Sequence, residues 1–286
     1  MAQKRCIHGR FKLRPDGRLN QIFLYALGYT SEKFDILLHE FMVMSNHDHP
    51  LYTDPEANGP AFLQQLHSLV ARAVNALYGE SDSLWSGQRV STVRLLDVET
   101  VLRKCAYVLL NPVEAGLVRY AWDWPGVTSW GLEYGKPLKV KRPEGFFSED
   151  MPDEVEVVIH RPEGLYPDAD DTEARRRLRA HVEELQSELV AKKRHEGHTF
   201  LGAGRVMRQP RDNKADIPRA KIRPHIASKD PKQRVNAILE LVRFWEDHRK
   251  ARLAYKDDQR DQREVEFPLG TWWMARVCGV RVRPPP

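Results

Sequence analysis

Long apolar runs and cysteines are both scarce in this sequence. No stretch approaches the roughly 18 apolar residues of a membrane-spanning helix, and the first residues lack the apolar core of a secretory signal. The cysteines are too few and too scattered for a disulfide framework or a zinc cluster; they are Cys6, Cys105 and Cys278. We therefore expect a soluble protein of the reducing cytoplasm with no membrane partner.

The sequence also contains no internal repeat and no glycine-rich phosphate-binding loop, which argues against a solenoid and a P-loop nucleotide-binding protein. At 286 residues, the chain is long enough for one large domain or two small ones. Charged residues make up 30% of it, with a net charge of +5 and a pI near 9.0. This balance favours a polyanionic partner, although many basic proteins bind no nucleic acid.

Two histidines stand two positions apart in the segment MSNHDH, directly after an apolar run. If residues 34–44 form a strand that continues through this segment, His47 and His49 point to the same face, with Cα atoms about 6–7 Å apart. That spacing suits two imidazoles on one divalent ion. The alternative is a turn with two solvent-exposed histidines, because turns are favoured by Asn46, Asp48 and Pro50.

A helix and a basic strand are predicted next. Apolar residues recur at helical spacing from Pro60 to Tyr78, and Gly79 is a suitable stop. Residues 84–93 then resemble a strand; it holds Trp85 and Arg89, and Arg94 follows it directly. An aromatic ring among arginines is typical of nucleic-acid binding, where rings stack on bases and guanidinium groups hold phosphates. The alternative is a tryptophan that packs in the core.

A second amphipathic helix is predicted to begin after its N-cap, Asp97, and to end at Pro112, since the residue before proline disfavours helical backbone. At about 100° per residue, Tyr107 lies opposite the apolar stripe, with Lys104 and Asn111 on neighbouring turns. Tyr107 is therefore not needed for the packing of this helix. An ordinary half-exposed tyrosine is the alternative to a functional one.

We divide the chain into three parts. Residues 1–135 form an α+β domain that carries these segments. Residues 136–171 are rich in proline and charge, and we expect a linker with one short strand. Residues 172–286 form a mainly helical extension whose role does not follow from the sequence.

Together these pieces suggest metal-assisted phosphoryl transfer with a tyrosine nucleophile. At this point the sequence resembles the HUH transposases that use a single catalytic tyrosine on single-stranded DNA, and most closely the REP-associated tyrosine transposases. Order and spacing agree over residues 1–135. The resemblance is carried by residues 44–49 (MSNHDH), 75–89 (ending in LWSGQR), 107–118 (YVLLNPVEAGLV) and 124–130 (WPGVTSW).

The resemblance implies a ferredoxin-like antiparallel sheet with helices on one face and both histidines on a central strand. It implies Mg²⁺ or Mn²⁺ held by His47, His49 and Asn111. Tyr107 would attack a phosphate of single-stranded DNA that carries a hairpin, leaving a 5′-phosphotyrosine and a free 3′-OH. The DNA would be held by basic and aromatic side chains, with candidates Trp85, Arg89, Arg94 and Lys104. The oligomeric state stays open between monomer and homodimer.

Three residues depart from the family pattern, which has an apolar residue at Asp48, Leu or Val at Pro50, and commonly Arg at Glu114. In a strand, Asp48 faces away from the histidines and needs solvent or a partner, while Pro50 cannot donate to a sheet ladder. Three functions therefore stay open: DNA nicking and strand transfer through Tyr107, a DNA-hairpin-binding protein of the same fold that no longer cuts, and a metal-dependent hydrolase that uses water.

Overall fold

The computed structural model describes residues 1–215, 225–257 and 264–283. The α-helices are α1 (Gly17–Lys33), α2 (Gly59–Tyr78), α3 (Val98–Glu114), α4 (Asp171–His195), α5 (Ala203–Arg208), α6 (Pro231–Tyr255) and α7 (Trp272–Cys278). The strands are β1 (Ala2–Arg5), β2 (Leu37–Met44), β3 (His47–Thr53), β4 (Ser91–Thr92), β5 (Arg94–Leu95), β6 (Leu138–Lys141), β7 (Glu154–Val157), β8 (Ile226–Ala227), β9 (Glu266–Phe267) and β10 (Arg281–Val282). The chain is thus of the α+β class.

A four-stranded antiparallel sheet in the order β2-β3-β1-β4 forms the centre of the molecule. The hairpin of β2 and β3 pairs Met42 with His49 and Met44 with His47. On the other side of β3, Lys4 of β1 lies opposite Asp48. The histidine motif therefore lies on an interior strand, where both neighbours restrict its backbone.

Helices pack on both faces of this sheet, and the prediction of helices on one face is wrong. Successive side chains of a strand point to opposite faces. Asp48 bonds to His67 of α2, whereas His49 contacts Asn111 of α3. Helices α2 and α3 consequently lie on opposite faces, and α1 packs along α2.

The segment predicted as a linker is not one. Within residues 136–171, strands β6 and β7 form an antiparallel pair that packs against α1. The approach is close at Gly28, where a Cβ atom would lie 2.9 Å from the carbonyl oxygen of Glu156. Buried side chains of this segment, including Val155 and Ile159, join the same hydrophobic core as β2 and α3.

A buried ion pair ties α4 to the sheet. Glu40 of β2 and Arg175 of α4 are both fully buried and form a salt bridge. Ser129 also donates to the Glu40 carboxylate, and Arg175 donates to the main-chain oxygens of Ser129 and Leu132. The predicted domain boundary at residue 135 therefore falls between two residues whose opposite charges pair inside the core.

The sequence predicted some helices well and others poorly. Helix α2 ends where expected, with Gly79 in the left-handed conformation, and Asp97 caps α3 through the Thr100 N–H. The apolar residues 22–27, whose pattern alone predicts either a second strand or a short helix, lie within α1. Helix α3 passes through Pro112 to Glu114, because a proline in the last turn removes one hydrogen bond without blocking the helix end. None of the helices among the described residues has the length and apolar composition needed to cross a membrane.

Candidate functional site

The two histidines of β3 lie side by side on the α3 face of the sheet. Their ring centroids are 4.6 Å apart and the rings meet nearly at right angles. The Asn46 amide oxygen is 2.6 Å from Nδ1 of His47. If this oxygen accepts from the Nδ1–H group, Nε2 of His47 carries the lone pair that a metal needs.

Helix α3 brings Tyr107 and Asn111 over these histidines. The ring of Tyr107 lies 5.6 Å from that of His49, centroid to centroid, in an edge-on contact. The side-chain amide of Asn111 is 3.3 Å from Nε2 of His49. Tyr107 and Asn111 are one turn apart, so both point from the helix to the same part of β3. The structure thus brings together the four residues that the motifs indicated.

A fifth polar side chain reaches this place from β1. The Gln3 amide nitrogen is 3.4 Å from Nε2 of His49. Sequence reasoning missed Gln3 because it belongs to no motif. Its position follows from the strand pairing: Lys4 of β1 pairs with Asp48 of β3, so Gln3 lies beside His49.

These side chains fit a divalent cation by their donor chemistry. The side chains of His47, His49 and Asn111 lie next to one another. Rotation of the Asn111 amide places its oxygen, which can bind a metal, at the present position of its nitrogen. Donors bound to one cation at about 2.1 Å lie about 3.0 Å apart in octahedral and about 3.4 Å apart in tetrahedral arrangement. The 3.3 Å between Asn111 and His49 falls in this range. In the described residues no group of three or more His, Cys, Asp or Glu could hold a metal, so a site here depends on amides.

Asp48 points away from the histidines and has partners of its own. Its carboxylate accepts from the Lys4 main-chain N–H at 2.8 Å and lies 2.9 Å from Nε2 of His67. Asp48 is 1% exposed and His67 6%. The expected orientation of Asp48 is confirmed, and its partner is an imidazole of α2. Asp48 therefore cannot add negative charge directly to a cation at His47 and His49.

We expect His67→Phe to lower the free energy of unfolding by about 2–3 kcal/mol, because a buried carboxylate would lose a charge-assisted partner. Urea denaturation measures this loss. The double variant Asp48→Leu/His67→Phe should lose less than the single variant, and His195→Ala, at an exposed position of α4, should change little. A double variant less stable than His67→Phe would contradict this account.

Pro50 also does not disturb the site. The pairing of β1 with β3 covers His47 and Asp48, so the missing N–H of Pro50 lies beyond that ladder. On the other side Pro50 faces Phe41, whose N–H donates to Ser129 instead. The two departures that lie on β3, Asp48 and Pro50, are thus accommodated without displacing the histidines.

The cationic DNA-contact candidates lie in two places. The Lys104 ammonium is 4.8 Å from the Tyr107 ring centroid. Burial and then the charge of Arg103 lower the pKa of Lys104, so a bound anion would stabilise its charged form. Arg89 and Arg94 are exposed and line a groove of about 1100 Å³ between α6 and the β4–β5 region, where Arg94 lies 3.5 Å from Glu240.

Trp85 is not available for base stacking, and its prediction as a DNA contact is wrong. It is 8% exposed, its indole N–H donates to the His67 carbonyl oxygen at 2.8 Å, and its ring packs on the His67 ring. Trp85 thus supports the buried pair of Asp48 and His67. The region around it, predicted as a strand over 84–93, contains strand structure at Ser91–Thr92 alone.

No protein-family model, no curated protein and no solved structure matches this chain.

Proposed function

We propose that this protein is a metal-dependent enzyme that nicks single-stranded DNA and transfers the strand through a 5′-phosphotyrosine on Tyr107. One observation carries the proposal. Residues 62 positions apart in the sequence, His49 and Asn111, lie within 3.3 Å, and Tyr107 packs on the same imidazole. An ordinary surface tyrosine requires no such neighbours.

The topology gives independent support. The elements β1-α1-β2-β3-α2-β4 follow one another, and the strand order is β2-β3-β1-β4. This order agrees with the split βαβ arrangement of ferredoxin-like domains and supports the proposal. We infer that the sheet is a ferredoxin-like platform and that α3, which follows β4, supplies the nucleophile.

The proposed reaction exchanges one phosphodiester bond for another. The phenolic oxygen of Tyr107 attacks the phosphorus, the P–O3′ bond breaks, and the tyrosine proton is transferred overall to the departing 3′ oxygen. The products are a 5′-phosphotyrosyl strand and a free 3′-OH, so the bond energy is kept for rejoining. A divalent ion, when bound, polarises the phosphate and stabilises its developing negative charge.

The surrounding side chains have separate roles in this proposal. His47, His49 and Asn111 hold the ion, and Asn46 orients His47. Lys104 holds a phosphate beside Tyr107. The substrate is single-stranded DNA with a hairpin, for which the exposed Arg89 and Arg94 are candidate backbone contacts.

The alternative of an inactive hairpin-binding protein rested on Asp48 and Pro50. Both residues are accommodated away from the face that carries Tyr107. This supports the catalytic proposal over the inactive one.

The test is a denaturing gel with labelled single-stranded hairpin DNA from the flanks of the protein's own gene, with Mn²⁺, Mg²⁺ or EDTA. A metal-dependent protein–DNA adduct on the tryptic peptide 105–119 supports the proposal. Tight hairpin binding without an adduct establishes the inactive binder. Cleavage without an adduct establishes a hydrolase that uses water.

We expect Lys104→Met to weaken hairpin binding and to reduce the dependence of affinity on salt, because one phosphate contact is lost. Binding isotherms between about 50 and 200 mM salt measure both effects. Lys33→Met is the matched control, since the Lys33 ammonium lies 5.5 Å from the ring of Tyr29 on α1. Equal losses in the two variants would show that Lys104 has no specific role.

A further inference from the structure

Gln3 lies close to His49, one of the candidate metal ligands. It lies on β1, one residue before Lys4, which pairs with Asp48. Its side chain therefore projects on the face of His49, and its amide nitrogen is 3.4 Å from Nε2 of that ring. The Asn111 amide approaches the same nitrogen at 3.3 Å.

Two side-chain amides lie within 3.4 Å of one ring nitrogen of His49. The nitrogen carries one lone pair, and both distances exceed the 2.7–3.2 Å that is usual for N–H donors. The same distances match the spacing of about 3.0–3.4 Å between neighbouring donors around one cation. Rotation of each side-chain amide by about 180° exchanges its oxygen and nitrogen. The oxygens of Gln3 and Asn111 then lie at a distance from Nε2 of His49 that suits ligands of one shared ion.

We propose that Gln3 is a further metal ligand and that the site binds its ion with four uncharged donors: His47, His49, Asn111 and Gln3. This inference rests on the metal site of the proposed function and extends it to a strand that no motif indicates. Asp48, the nearest acid in the strand, is directed to α2.

A metal preference follows from this donor set. Mg²⁺ takes oxygen ligands and is held mainly by carboxylates, whereas imidazole nitrogens suit transition metals. A site with two imidazoles and no carboxylate therefore binds Mn²⁺ and, more tightly, Co²⁺ in preference to Mg²⁺. Replacement of Gln3 by glutamate adds a carboxylate to the site. This change should raise the affinity for Mg²⁺ more than the affinity for Mn²⁺.

The experiment measures metal binding by the full chain without DNA. Metal-free protein is titrated with Co²⁺, followed by visible absorbance, and with Mn²⁺, followed by the EPR signal of the free ion; Mg²⁺ is tested by competition. We expect Gln3→Ala to weaken Mn²⁺ and Co²⁺ binding by at least about 10-fold. Gln3→Glu should strengthen Mn²⁺ binding and raise Mg²⁺ affinity by a larger factor. Gln64→Ala, at an exposed position of α2, should bind as the wild type does.

The outcomes separate this inference from the proposed function. Wild-type affinities in both Gln3 variants, with binding lost in His49→Ala, would overturn the role of Gln3 and keep the metal site. Absence of binding by the wild type would overturn both. A thermal melt without metal checks the fold of each variant. If Gln3→Ala is unfolded, Gln3→Glu decides, since a residue at this position that is not a ligand would leave the ratio of Mg²⁺ affinity to Mn²⁺ affinity unchanged.

Discussion

Tyr107→Phe is expected to abolish the covalent DNA adduct and to lower strand cleavage by at least about 10³-fold. The substitution removes the oxygen that bonds to phosphorus in the proposed reaction and leaves the ring that packs on His49. Fold and hairpin affinity should therefore stay close to those of the wild type. Denaturing gels give the adduct yield, and single-turnover cleavage gives the rate.

Tyr29→Phe is a well-matched control for this experiment. Tyr29 is also a half-buried helical tyrosine with a lysine ammonium near its ring, but it lies on α1. This variant should form the adduct at the wild-type rate. Persistent cleavage by Tyr107→Phe would show that another nucleophile, such as water, performs the reaction.

Arg175→Ala is expected to lower the free energy of unfolding by about 3–5 kcal/mol. The guanidinium is fully buried and pairs with the equally buried Glu40 carboxylate. Its removal leaves that carboxylate without a countercharge and creates a cavity between α4 and the sheet. Urea denaturation of the full chain measures the loss. Arg176 follows Arg175 in α4 and forms an exposed ion pair with Glu173. The control variant Arg176→Ala should lower the free energy of unfolding by less than about 1 kcal/mol.

The deficit of Arg175→Ala should also depend on pH. Burial raises the pKa of Glu40, and Arg175 opposes that rise. Without Arg175, the folded state binds the Glu40 proton at a higher pH than the unfolded state does. The deficit should therefore shrink as the pH falls from about 7 towards the ordinary glutamate pKa of about 4.3. A deficit that is constant over this range would show that lost packing, and not the unpaired charge, causes it.

Local patterns were sufficient for helices with clear boundaries. Gly79 ends α2 and Asp97 begins α3 because these residues act on their own backbone, which requires no distant partner. The sequence around the start of helix α1, Pro-Asp-Gly at residues 15–17, is typical of a turn, whereas Asp16 is the N-cap of that helix. The short apolar run inside α1 is compatible with either a strand or a helix when it is considered alone.

The candidate site shows the same limit. Motif spacing indicated His47, His49, Tyr107 and Asn111, because each motif is contiguous and its periodicity sets which side chains share a face. It did not indicate Gln3, nor the partner of Asp48, and it named Trp85 as a DNA-contact candidate while leaving core packing open as the alternative. Those three depend on pairing between β1 and β3 and on the packing of α2, which join residues far apart in the chain.

The sequence by itself determined the α+β class, the ends of α2, the start of α3 and the four motif residues of the site. These properties follow from side-chain periodicity and capping within a few residues. The tertiary structure decided which faces the helices cover, that residues 136–171 pack on α1, and that Trp85 is buried. It also decided that Gln3 lies beside His49. Each of these is a contact between distant segments, and the free energy that selects such a contact comes from burial and pairing that no local pattern contains.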